Sequence, residues 1–182
     1  MTTLVLHPDD RSTDDLRPLY EGIPDRTVIT GGRTKDEVRA LVAAHDRVIL
    51  CGHGYTTGLF SIDRFPTDNG LIIDASMVDV LSQKHDTICL WCYAHEFVRQ
   101  HGLCCFSSGM LVSEVQEARW MGLEGVTQAQ VGESTQAFCS LMGQHVLGPQ
   151  EQMSATVHRE YGLLAQRNPV AAYNHARLHL GA

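Results

Sequence analysis

Four short apolar runs, Leu4-Val-Leu6, Thr27-Val-Ile29, Val48-Ile-Leu50 and Ile88 to Trp91, are separated by stretches of other character, and this alternation constrains the fold most. Runs of Val, Ile and Leu without alternating polar residues read as strands buried on both faces, an environment that a parallel sheet between helices provides. Thr34-Lys-Asp-Glu37 has capping-box spacing, and Val38, Leu41, Val42 and His45 follow at helical intervals. Strand, helix, strand, helix, strand predicts parallel pairing through right-handed crossovers.

Beyond the third strand the pattern changes. Gly58-Leu-Phe-Ser-Ile62, Pro66-Thr-Asp-Asn-Gly70 and Leu71-Ile-Ile73 predict a hairpin excursion, and Asp74 caps a helix to about Lys84. A short helix is expected over Ala94 to Gln100, a fifth strand over Leu103 to Phe106, and a helix from about Met110 to Met121. The last third is helical: Phe138, Leu141, Met142, His145 and Val146 form one stripe, Met153, Val157 and Leu164 another, and Asn168-Pro169 starts a final helix. Near the N-terminus, Ser12 or Thr13 caps a helix through Tyr20. The expected fold is α/β, a three-layer αβα sandwich with a mostly parallel, flavodoxin-like sheet. Residues 1–130 would form the sheet core and 131–182 a helical C-terminal cover, in one domain.

Charge and cysteine content narrow the functional classes. A net charge of -7, with only Lys35 and Lys84 beside the arginines, argues against a nucleic-acid or anionic-membrane surface. No apolar run reaches membrane-span length and Met1 to His7 has no signal-peptide character, so a cytoplasmic protein is expected. Six cysteines in that setting are reduced, and serve as core, ligands or nucleophiles.

Two strands end in reactive side chains. Arg47-Val-Ile-Leu-Cys-Gly-His-Gly54 delivers His53 between glycines, and Asp86-Thr-Ile-Cys-Leu-Trp-Cys-Tyr-Ala94 delivers Cys92 after its last apolar residue. If these strands are neighbours, both residues meet at the carboxyl edge, where open parallel sheets place ligands. Cys92 would be the nucleophile, with His53 as base or ion-pair partner and the helix starting at Ala94 favouring its thiolate. The amides of Gly54 and Cys92 can form an oxyanion hole.

The segments Val48-Ile-Leu-Cys-Gly-His-Gly54 and Thr87-Ile-Cys-Leu-Trp-Cys-Tyr-Ala94 resemble the caspase-like clan of cysteine peptidases, which includes caspases, legumains, gingipains, separase and CHAT-domain proteases. The intervening hairpin and helix resemble the clan's arrangement too. The resemblance implies a cysteine peptidase without a cofactor or catalytic metal, acting on peptide or protein substrates. It also implies that loops after the first and fifth strands build the substrate pocket, which here assigns substrate binding to Asp10, Ser107, Ser108 and Glu114.

Other readings stay open. A non-catalytic binding module could keep this fold and use its edge for a partner. Cys89-Leu-Trp-Cys92 with His95, His101 and Cys104-Cys105 contains zinc-ligand types, although residues three apart on a strand face opposite ways. Gly52-His-Gly54 with Gly58 has a late third glycine and no following helix, which weakens a nucleotide reading. The Met and aromatic stripes of the C-terminal helices are core or a homodimer surface.

Overall fold

The computed structural model describes residues 1–181 and is an α/β three-layer sandwich. The chain opens with β1 (Thr3–Leu6), a 3₁₀ turn (Arg11–Leu16) and α1 (Pro18–Glu21), so the helix expected through Tyr20 is split. Pro18, suited to a first helical turn, is where the α-helix restarts. β2 (Arg26–Ile29), α2 (Lys35–Ala44) and β3 (Arg47–Cys51) follow. The Thr34–Glu37 capping box forms, with Glu37 accepting from the Thr34 amide at 2.8 Å.

The excursion is a separate three-stranded antiparallel sheet of β4 (Gly54–Tyr55), β5 (Gly58–Phe60) and β6 (Leu71–Ile73). Asp74 caps a 3₁₀ turn (Ala75–Met77) that leads into α3 (Val78–Leu81). Then come β7 (Asp86–Leu90), α4 (Ala94–His101), β8 (Cys105–Ser108) and α5 (Val115–Trp120). The strand expected over Leu103 to Phe106 thus runs two residues later. α6 (Gln128–His145), α7 (Gln150–Ala165) and α8 (Pro169–His175) form the helical region, and β9 (Leu178–Leu180) closes the chain.

The main sheet has the order β2-β1-β3-β7-β8-β9, parallel except for β9. The C-terminal stretch is therefore not only a cover, because β9 returns to the sheet. β9 was not anticipated: Leu178-His-Leu180 is too short for a periodic signal, and an antiparallel edge strand needs no crossover.

Alternation along the strands divides the core in two. Leu4, Leu6, Val48, Leu50, Cys89 and Trp91 face α2, α3 and α4, whereas Val5, Ile49, Cys51, Ile88 and Leu90 face α1, α6, α7 and α8. The C-terminal stripe residues Phe138, Met142, Met153 and Val157 are buried in the second layer. No helix among the described residues is long and apolar enough to cross a membrane.

One buried imidazole ties the 3₁₀ turn to the sheet. The Thr13 hydroxyl donates to the Asp10 carbonyl at 3.0 Å, so its oxygen accepts from His7 Nε2 at 2.9 Å. His7 Nδ1 then accepts from the Tyr20 hydroxyl, also at 2.9 Å. A neutral ring is fully satisfied there, and burial, then the Arg17 charge, lowers its pKa from 6.5 to about 4. Because the folded value lies below the unfolded one, this contribution is complete above pH 6.5 and is lost as pH falls toward 4. It amounts to about 3 kcal/mol. Denaturant unfolding of wild type and His7→Gln at pH 7 and pH 4.5 checks it: wild type is expected to lose that much more stability than the variant on acidification.

Candidate active site

β3 and β7 are neighbours, and their parallel register pairs Cys51 with Leu90. His53 and Cys92 each lie two residues beyond that pair, just past the ends of the two strands. Both line one cavity of about 80 Å³ at the carboxyl edge. Gly52 makes the turn from β3 possible: its amide still donates to the Leu90 carbonyl at 3.1 Å, while its φ of 141° suits glycine.

His53 is held from the loop after β1. The Asp10 carboxylate accepts from the Ser12 amide and hydroxyl, each at 2.9 Å, and the Ser12 oxygen lies 2.7 Å from His53 Nε2. Since the single Ser12 proton is directed to Asp10, the oxygen accepts from a protonated Nε2. His53 Nδ1 has no partner among the described residues. Asp10 Oδ2 is also 3.6 Å from Nε2. The hydrogen bonds from the Ser12 backbone and side chain hold the Asp10 carboxyl below its usual range. Asp10, expected to bind substrate, is therefore placed on His53. Ser12 was missed because an N-cap serine is ordinary helix punctuation.

Cys92 sits at the other wall. Burial pushes its thiol above the ordinary value, the Glu117 carboxylate adds to this, and its own amide opposes it. No hydrogen bond joins it to His53 among the described residues, and the imidazole is held at Ser12 instead. The upward direction of the thiol's shift, set first by burial and then by Glu117, runs against the thiolate expected from the sequence, and no Lys or Arg of the described residues lines the cavity to oppose it.

Behind Cys92, the Trp91 indole donates to the Tyr55 carbonyl at 3.0 Å and packs edgewise on Phe97, with centroids 5.7 Å apart. Tyr93 adopts a left-handed conformation (φ 64°) and packs on Tyr55 at 5.3 Å. For a non-glycine residue that conformation costs about 1–2 kcal/mol.

The remaining expected site residues divide. Ser108 lines the cavity and donates to the Trp91 carbonyl at 3.2 Å. Ser107 faces the other side of the sheet, as strand alternation requires, and is away from this cavity. Glu114 is exposed at the start of α5 and does not line it; Glu117, one helical turn on, does. Glu117 Oε2 accepts from the Ser113 amide and hydroxyl and the Glu114 amide at 2.8, 3.0 and 3.1 Å. That reach of a third-position Glu back over its helix start is the signal that could have found it. Gly54 also lies outside the lining. It is drawn into β4 opposite Leu59, where a Cβ would collide with the Trp91 ring. Of the two expected oxyanion amides, only that of Cys92 is at the cavity.

Asp15 and Glu117 are the acidic residues of the lining, and no Lys or Arg of the described residues joins them. The CxxC cysteines separate as alternation predicts: Cys89 is buried on the α4 side, 3.9 Å from the Cys105 sulfur, whereas Cys92 is at the cavity. Among the described residues no three His, Cys, Asp or Glu side chains are grouped to hold a metal. Compared with known proteins, the chain matches no protein-family model and no curated protein.

Removing the Glu117 charge is expected to lower the Cys92 pKa. In Glu117→Gln, iodoacetamide alkylation of Cys92, followed across pH by mass spectrometry, should accelerate at neutral pH and its rise should move to lower pH. An unchanged profile would mean that the carboxylate does not act on the thiol.

Proposed function

We propose that the chain is a caspase-like cysteine peptidase, or a related thiol acyl hydrolase, using His53 and Cys92. The observation that carries this reading is the register: a base and a nucleophile stand at equivalent positions past two paired strands and line one cavity. In the proposed reaction the Cys92 proton passes to His53 Nδ1 as sulfur attacks the substrate carbonyl carbon. The oxyanion is met by the Cys92 amide, and the start of α4 adds positive potential behind it. Collapse breaks the carbon–nitrogen bond as the imidazolium proton goes to the leaving amine. Water, deprotonated by His53, then hydrolyses the thioester and the thiol is restored.

The resting thiol fits general-base activation at the moment of attack better than a standing ion pair. Asp10 and Ser12 act as positioning residues that fix the His53 tautomer. Asp15 and Glu117 favour a cationic residue next to the scissile bond, so Lys and Arg substrates are expected.

A fluorogenic peptide library incubated with the full chain tests the reading. Turnover should favour Arg or Lys over Asp at least tenfold and vanish in both Cys92→Ser and His53→Ala. Glu117→Gln should cut the preference for the basic residue about tenfold or more, the scale of a hydrogen bond to a charged group. Absence of turnover on every peptide, with partner capture unchanged in Cys92→Ser, would favour the binding-module reading.

A further inference from the structure

A second cavity, of about 500 Å³, opens between α4 and the β8–β9 edge, on the opposite side of the sheet from Cys92. Its polar lining is His95, Arg99, Ser107 and His179. Although Asp and Glu total 21 against 14 Lys and Arg, no carboxylate of the described residues lines it. Ser107 stands opposite His179 across β8 and β9, which puts their side chains on one face. The His179 ring stacks on His95, with centroids 4.5 Å apart and planes 19° from parallel. Arg99 follows His95 by one turn of α4. No carboxylate of the described residues lies within ion-pair distance of its guanidinium.

Two buried polar atoms here have no partner among the described residues. Ser107 is 1% exposed and its hydroxyl is unsatisfied, as is His95 Nδ1. Such an atom costs about 1–3 kcal/mol. Burial, then the neighbouring His95, and beyond it His158 and Arg177, hold the His179 imidazole below its ordinary range. The surroundings are thus rich in donors and poor in negative charge.

We propose that this cavity binds a small oxyanion of the phosphate class, held by Arg99, His95 and His179, with the Ser107 hydroxyl turned toward it. An oxyanion offers only acceptors, which the guanidinium, imidazole N–H groups and hydroxyl can all meet. A metal would have to sit beside the guanidinium with two imidazoles as its ligands. The inference does not depend on the peptidase reading.

Inorganic phosphate titrated into the full chain at constant ionic strength, with chloride as the balancing salt, tests it through the histidine C–H resonances. Saturable shifts of His95 and His179 are expected, with the exposed His85 unmoved. Binding should weaken tenfold or more in Arg99→Gln and several-fold in Ser107→Ala. Ser107→Ala should also unfold at higher denaturant without phosphate, since it removes an unsatisfied hydroxyl, so weaker binding there does not report misfolding. Glycerol 3-phosphate in place of phosphate distinguishes an esterified group from the free ion. Shifts that do not saturate, that chloride reproduces, or that are unchanged in Arg99→Gln would overturn the proposal, as would a response to zinc alone.

Discussion

The parallel pairing of β3 with β7 is the constraint on which the candidate site depends. Both strands are buried on both faces, so a slip of one residue would exchange every side chain between two differently shaped layers. The register is held by apolar packing along whole strands rather than by any contact at the site. It brings His53 and Cys92 to one cavity past the strand ends and buries Cys89 on the α4 side of the sheet. The same alternation separates Ser107 from Ser108, so that adjacent residues of β8 line two different cavities.

Local bracing then shapes the cavity. Trp91 is the central piece: its indole hydrogen-bonds the β4 loop, its ring leans on Phe97 of α4, and Gly54 has no room for a side chain beneath it. The left-handed Tyr93 lets the chain leave β7 and enter α4 at once, and its contact with Tyr55 offsets part of the conformational cost. On the other wall, His7 anchors the turn that carries Asp10 and Ser12. The loop after β1 then meets the loop after β3 at the Ser12–His53 contact, while the loop after β7 is braced on Tyr55.

The parts legible in the sequence are those set by local periodicity. Val48-Ile-Leu50 and Ile88 to Trp91 read as buried strands, Thr34 and Glu37 as a capping box, and residues 58–73 as an antiparallel excursion. What was not legible depends on tertiary placement. Ser12 looks like an ordinary cap until the β1 loop is laid beside His53, and Glu117 looks like a solvent-facing helix residue until α5 is placed over the cavity. β9 carries almost no periodic signal, yet it completes the sheet and supplies His179 to the second cavity. Strand ends could be read, but the loops that converge on them could not.

Glu117 places two demands on the candidate site that meet in the proposed reaction. Its charge adds to the upward shift of the Cys92 thiol, which would suppress the proposed nucleophile, and the same charge is what would attract a basic substrate residue. In a low-dielectric cavity a cation seated against the carboxylate cancels much of its field at the sulfur. A correctly charged substrate would therefore ease transfer of the proton to His53 as it binds, whereas a neutral or acidic one would leave the thiol as it rests. Selectivity would then arise in the activation of the nucleophile as well as in binding, and would be felt in the transition state, where a difference between substrates changes rate.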